Sequence, residues 1–298
     1  MDPCEALIDL DWSQFQPWRV MAVRHHLQSQ PLLQRDALLQ LASRMEAAGQ
    51  LLEIGQDATA GTPFTAHESS AEAMRRIGEI KGWAYLRFVQ SDPEYRRLVD
   101  TVLDSIRHQV ERRDPGMHHR AGFIFISSQR MVTPFHFDSE HNFILQMQGH
   151  KTLYVWDADD LEVMGELARD LFHLKRDREL FRWREEFRER AHVFHLEPGT
   201  GAYMPATSPH MVEAGDDLSV TMSFTYYTDA TRRDARLHRL HGLVRSVGIR
   251  PPAVGAHPAL DGAVGILLDG ALAARHLVQR LAGHAGGSGK PPYAGMTH

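Results

Sequence analysis

A single cysteine, Cys4, is all that the 298 residues contain, so an internal disulfide and a zinc site built from cysteines are both excluded. No apolar run approaches the roughly 18 residues that a membrane span requires. The most apolar window, residues 262–274, is broken by Asp269 and is expected to pack as a helix. Positive charge is not in excess either: 33 Lys and Arg against 38 Asp and Glu leave a net charge of -5, which argues against a role dominated by neutralising nucleic-acid phosphates. The opening Met-Asp-Pro-Cys-Glu-Ala lacks the basic, apolar, small-residue order of a signal peptide, so a cytoplasmic location is expected.

The residues present divide into helical and strand-like stretches. Apolar side chains recur at helical spacing over 18–27 and again over 32–45, the second opened by Pro31. Ser69-Ser70-Ala71-Glu72 and Ser91-Asp92-Pro93-Glu94 both match a capping box and predict helices over about 70–80 and 93–111. Between them, Trp83 to Val89 is short, aromatic and branched, as a strand is. From residue 121 the texture changes to short strand-like segments at 122–127, 133–138, 142–148, 151–157, 192–196, 201–204 and 218–228, divided by turn residues. Many short strands at close spacing predict a closed or double-sheet β architecture. A charged, near-helical stretch at 158–191 interrupts them. Helices return over 232–247 and 260–281, and the Gly- and Pro-rich end is expected to be disordered.

One pair of segments carries chemistry. Thr133-Pro134-Phe135-His136-Phe137-Asp138 places a histidine and an aspartate two residues apart, where an extended strand points both to one face. His210, far downstream behind Pro209, supplies a second imidazole. Two histidines and one carboxylate form one face of an octahedron and leave three positions open for cosubstrate and oxygen. Among 19 histidines a chance His-x-Asp pair is common, so the spacing to His210 gives the pair its weight. Lys151 begins an otherwise apolar strand-like run. It reads either as a charge at a turn facing water or as a cation for the distal carboxylate of 2-oxoglutarate.

In these positions the chain resembles the Jumonji-C, or cupin-like, hydroxylases, and within them the group typified by the asparaginyl hydroxylase acting on hypoxia-inducible factor. The family pattern of Thr-Pro-x-His-x-Asp, then Asn, then Lys after a glycine turn, then a distal His is met by Thr133-Pro134, His136, Asp138, Asn142, Lys151 and His210. The resemblance implies a mainly β fold with helical flanks: a double-stranded β-helix (jelly roll, cupin) core over 116–228, carrying a helical insertion at 158–191. Around it would lie an N-terminal helical region over 1–115, a C-terminal helical extension over 229–283 and a disordered tail over 284–298. It further implies Fe(II) on His136, Asp138 and His210, with Thr133 and Lys151 on the distal carboxylate of 2-oxoglutarate and Asn142 near its chelating end. The family often has an asparagine on the last core strand, where this chain has Ser223, and an upstream tyrosine for which Tyr85 is the candidate. Neither is included in the expected site.

The implied reaction is hydroxylation of a carbon of a protein or peptide side chain, or of a small molecule, using O2 and releasing succinate and CO2. If the hydroxylated carbon bears nitrogen, the net outcome is demethylation. The competing reading is a metal-binding cupin that acts as an isomerase, a cosubstrate-free dioxygenase or a ligand-binding module. Lys151 with Thr133 separates the two, since only a 2-oxoglutarate enzyme needs a cation and a hydroxyl for a distal carboxylate. Apolar side chains on the last two helices, among them Leu237, Leu243, Ile266 and Leu267, predict a homodimer formed through them.

Overall fold

The computed structural model describes residues 7–50, 52–55, 71–77, 79 and 82–281. Cys4, the Ser69-Ser70 half of the first capping box and the tail beyond residue 281 lie outside them. The strands are β1 (Ile8–Asp9), β2 (Met21–His25), β3 (Leu52–Gly55), β4 (Trp83–Leu86), β5 (His118–Ser127), β6 (Val132–His136), β7 (His141–Gln148), β8 (Lys151–Val155), β9 (His192–Leu196), β10 (Thr200–Met204), β11 (His210–Ala214) and β12 (Ser219–Tyr227). Helices α1 (Arg35–Ala47), α2 (Ala71–Arg75), α3 (Pro93–Glu111), α4 (Glu166–Lys175), α5 (Asp229–Ser246) and α6 (Pro258–Leu281) complete the elements used below. The chain forms two compact units. One comprises Met1–Val163 with Phe181–Thr228; the other comprises Met164–Leu180 with the residues from Asp229 on.

In the first unit every strand pairing is antiparallel, in two sheets. The larger runs β1-β2-β10-β7-β12-β5-β4-β3 and the smaller β6-β11-β8-β9. This is the sheet-rich antiparallel core of a jelly roll. Because side chains alternate along a strand, the larger sheet has two distinct faces. Ile124, Ile126, Phe143, Leu145, Met222 and Phe224 point to one core, shared with α1 and α3. Ile144, Ala202 and Met204 point to another, where they meet Leu153, Val155 and Val212 of the smaller sheet. The space between the sheets is therefore lined by the alternate set of residues: 142, 144 and 146 on β7, and 221, 223 and 225 on β12.

Helix α3 shows how the outer layer is held. Pro93 opens it, and the Asp92 side chain accepts from the amides of Glu94 and Tyr95. Tyr95, Leu98, Val99, Val102, Leu103, Ile106 and Val110 then recur at helical spacing and are buried, each worth roughly 1.5–3 kcal/mol relative to exposure. The cap is Asp92 and not Ser91, whose hydroxyl donates instead to Gln50 and to the Phe88 carbonyl.

Several expected elements differ. The helix read over 18–27 is strand β2, whose burial alternates residue by residue and which adds to the large sheet beside β10. Among the described residues the first 115 positions thus contribute four strands as well as helices. Among the described residues, α2 spans only Ala71–Arg75. The interruption at 158–191 holds one ten-residue helix, α4, and a short 3-10 segment at Glu185–Arg190. Strand β11, which carries His210, was not among the expected strands.

In the second unit α4 packs on α5 and α5 on α6, with Ala168, Phe172 and Leu237 buried. Leu237 is thus covered within its own chain, whereas Ile266 and Leu267 are 74% and 72% exposed. Among the described residues no helix is long and apolar enough to cross a membrane.

Candidate metal centre

His136 ends β6 and His210 begins β11, and the two are direct cross-strand partners, so their side chains share one face. Their rings lie 4.2 Å apart between centroids. Asp138 lies two residues beyond the end of β6, not on the strand as the i, i+2 reading had it. It reaches the same place because its carbonyl accepts the Thr207 amide at 2.7 Å, tying the segment after β6 to the segment before β11. The Asp138 Oδ2 is 3.8 Å from His136 Nε2 and 3.7 Å from His210 Nε2. Donors each about 2.0–2.2 Å from one ion stand at most about 4.4 Å apart, so the three fit a common cation.

The backbone also selects which nitrogen faces the centre. His136 Nδ1 donates to the Pro134 carbonyl at 2.7 Å, and His210 Nδ1 donates to the Ser208 carbonyl at 3.1 Å. A carbonyl only accepts, so each ring proton belongs on Nδ1 and each Nε2 presents a lone pair. Thr207 is held at φ = 62°. A β-branched residue in the left-handed region costs of order 1–3 kcal/mol, and the strain sits in the loop that delivers His210.

Behind that loop is a buried network with no counterpart in the expected site. His141, fully buried, donates from Nε2 to Asp114 at 3.1 Å. Its Nδ1 accepts the Ala206 amide at 3.2 Å, and the Tyr203 hydroxyl, which donates to the Pro17 carbonyl at 2.8 Å, lies 2.9 Å from the same nitrogen. Asp114→Ala leaves the His141 donor unpaired in the core. It is expected to lower stability by about 1–3 kcal/mol, measured as a drop in urea midpoint at unchanged m-value.

The remaining expected residues line the same interior. Thr133 pairs with Val212, and Val212 with Leu153, so Thr133 faces inward one row from His210. Asn142 is buried beside Ser223, to whose hydroxyl it donates at 3.1 Å, while its Oδ1 has no partner among the described residues. Lys151 is buried at 5% exposure, which rules out a water-facing turn charge. Gly149 makes its placement feasible: at φ = 68° it turns β7 into β8, and a Cβ there would collide with the Leu218 carbonyl oxygen. Burial pushes the Lys151 ammonium down to about 7. Its contact is the Phe125 ring, 4.9 Å from Nζ, and no carboxylate pairs with it among the described residues.

Tyr85, left out of the expected site, belongs to this lining. Its ring is 5.4 Å from that of Phe125, and its hydroxyl is pushed well above the ordinary range by burial and then by the Asp138 carboxylate. Its ring thus adjoins the ring that Lys151 touches. Arg87, 3% exposed and paired with Glu53 at 2.8 Å, lies 5.8 Å from the Tyr85 ring. Period two in Trp83-Ala84-Tyr85-Leu86-Arg87 was the available signal, since it puts Tyr85 and Arg87 on the inner face.

Comparison with known proteins places this architecture. No curated protein sequence matches. Among solved structures, the chain is similar to YcfD, a ribosomal oxygenase from Escherichia coli, at 18% identity and a TM-score of 0.48, over 88% of this chain and 66% of that one. The same protein in complex with cobalt and 2-oxoglutarate gives 18% identity and a TM-score of 0.49, over 89% and 68%. A Cupin 2 conserved barrel domain protein from Leptotrichia buccalis is similar over 36% of each chain, at 15% identity and a TM-score of 0.24. The chain spans about two thirds of the length of the E. coli protein. The model of the Cupin-like domain matches residues 6–232, most of the chain, and the protein belongs to the Cupin-like domain family.

Proposed function

We propose that this protein is an Fe(II)- and 2-oxoglutarate-dependent oxygenase that hydroxylates a carbon of a protein or peptide side chain or of a small molecule. The observation that carries this reading is Lys151, a buried ammonium without an anionic partner among the described residues, on the same interior as the His136, Asp138 and His210 donors. A cupin without cosubstrate has no use for such a cation, and an apolar residue there would be cheaper. Lys151 is opposite Ala214, and His210 is opposite Val155. The two sites are thus four residues apart along β8, about 13 Å at 3.3 Å per residue. A lysine side chain of roughly 6 Å covers half of that span, leaving room for a five-carbon dicarboxylate.

His136, Asp138 and His210 would hold Fe(II), which when bound supplies the coupling of 2-oxoglutarate decarboxylation to insertion of one oxygen atom of O2 into a substrate C–H bond. The chain's own residues position the reactants. Lys151 and the Thr133 hydroxyl would bind the distal carboxylate, and the Asn142 amide would lie beside the chelating end. The aromatic lining of Tyr85 and Phe125 excludes water, which strengthens the charge pairing. Incubating the iron-loaded protein with labelled 2-oxoglutarate and pools of peptides and small metabolites tests the reading: substrate-stimulated formation of labelled succinate is expected. Metal binding without any 2-oxoglutarate binding would favour the cosubstrate-free cupin.

We also propose that the chain forms a homodimer through α5 and α6. Leu243, Val247, Leu260, Ile266 and Leu267 are exposed on the single chain, more apolar surface than one short helical pair ordinarily shows to water. Ile266→Glu with Leu267→Glu is expected to halve the mass measured by light scattering without loss of helical signal. A monomeric parent protein refutes the dimer.

A further inference from the structure

The second unit contains another group of metal-binding side chains, built by two helices. Helix α4 places Glu166 and Asp170 one turn apart on one face, and α5 does the same with His238 and His241. The helices approach closely at Gly242, where a Cβ would come within 3.1 Å of Leu174 and 3.2 Å of the Asp170 carbonyl. One donor atom from each of Glu166, Asp170 and His238 lies within 4.8 Å of the others. The Asp170 carboxylate is wholly buried and His238 is 5% exposed. His238 Nδ1 and Asp170 Oδ1 are hydrogen-bonded at 2.8 Å, so an ion bound between them would take the place of the shared proton and part them to about 3.4 Å.

The surroundings orient these groups. Arg245 donates to the other Asp170 oxygen at 2.6 Å, fixing the carboxylate from behind. The Val254 amide donates to Glu166 Oε2 at 3.2 Å, while Oε1 stands 3.9 Å from Arg169. His173 stacks on the His238 ring at 5.1 Å with the planes 8° apart.

A second observation is independent of the cluster. His241 is 91% buried, being 9% exposed, and its Nδ1 has no hydrogen-bond partner among the described residues. Such an atom costs about 1–3 kcal/mol if nothing meets it. Burial holds its ring below the usual histidine range, opposed by the nearby Asp170, Asp261 and Glu166 carboxylates. We propose that Glu166, Asp170 and His238, joined by His241 once its ring turns toward them from the next turn of α5, form a closed site for a divalent metal of the zinc class that ties α4 to α5. Two imidazole nitrogens and two carboxylate oxygens match zinc's donor preference, and four protein ligands leave no open position for catalysis.

The test uses the full chain carrying His136→Ala and His210→Ala, so that the barrel donors are gone and the outcome is independent of the oxygenase reading. Zinc titration followed by desalting and metal analysis is expected to give one zinc per chain and a raised thermal midpoint. Glu166→Gln and His241→Gln, each added separately, are expected to weaken zinc binding at least about tenfold with the helical signal intact. If the double alanine background fails to fold, the unmutated protein is expected to hold two divalent ions per chain and its Glu166→Gln variant one. No zinc retained in the double alanine background, or affinity unchanged by both glutamine substitutions, overturns the site.

Discussion

Exchanging His136 and His210 together for alanine is expected to reduce 2-oxoglutarate turnover at least about a thousandfold, because Fe(II) then has one carboxylate in place of three donors. A bound ion contributes several kcal/mol of transition-state stabilisation, and each 1.36 kcal/mol is tenfold in rate. The fold should survive. The Nδ1 of each ring bonds a carbonyl only two residues away, so at those atoms the substitution breaks no long-range hydrogen bond. The pair is read in two ways at once: succinate formation, and the visible charge-transfer absorption of 2-oxoglutarate chelated to Fe(II). Full turnover, or retained absorption, in a folded double variant refutes the assignment of these donors. The second-unit cluster can still hold metal in that variant, so total metal content alone does not decide the question.

The same geometry explains why so much of the centre was legible. His136, His210, Thr133, Asn142 and Lys151 all lie on strands, where the period of two fixes which face a residue shares with its neighbours and cross-strand pairing carries that face to the next strand. Asp138 was found for a partly wrong reason. It is off the strand, and what aims it is the Thr207 amide on its carbonyl, a contact between segments 69 residues apart that no local pattern encodes. The His141 network was invisible in the same sense, since Asp114, Tyr203 and Ala206 converge only through the fold. Strand β2 failed differently: Met21, Val23 and His25 turn inward with Ala22 and Arg24 outward, a two-residue period that the apolar spacing over 18–27 also fits as a helix. The α4–α5 cluster was unread because its carboxylates and histidines belong to two separate helices, Asp170 and His238 being 68 residues apart, and each helix alone looks like a charged solvated face.

Replacing Lys151 is expected to separate cosubstrate binding from metal binding. Lys151→Met keeps the length of the side chain and removes the charge, so the metal donors are untouched while the distal carboxylate loses its partner. A buried charge pair broken from one side typically costs about 2–5 kcal/mol, so the 2-oxoglutarate requirement should rise about 30-fold or more at unchanged Fe(II) affinity. Stability should move the other way. Burial holds this ammonium at about 7 in the empty protein against 10.5 when exposed. The unfolded chain therefore binds more protons between these values, and stability rises with pH across that window. Below about pH 7 the full cost of a desolvated cation is present, on the order of 5 kcal/mol. Lys151→Met should accordingly raise the thermal midpoint of the ligand-free protein at pH 6, with the gain shrinking as pH approaches 10. In the parent protein, saturating 2-oxoglutarate should offset the same cost by restoring a counter-charge, and the apparent affinity should weaken as pH climbs above 7 and the lysine deprotonates. An affinity independent of Lys151, together with a pH profile identical in the methionine variant, would return this protein to the cosubstrate-free cupins.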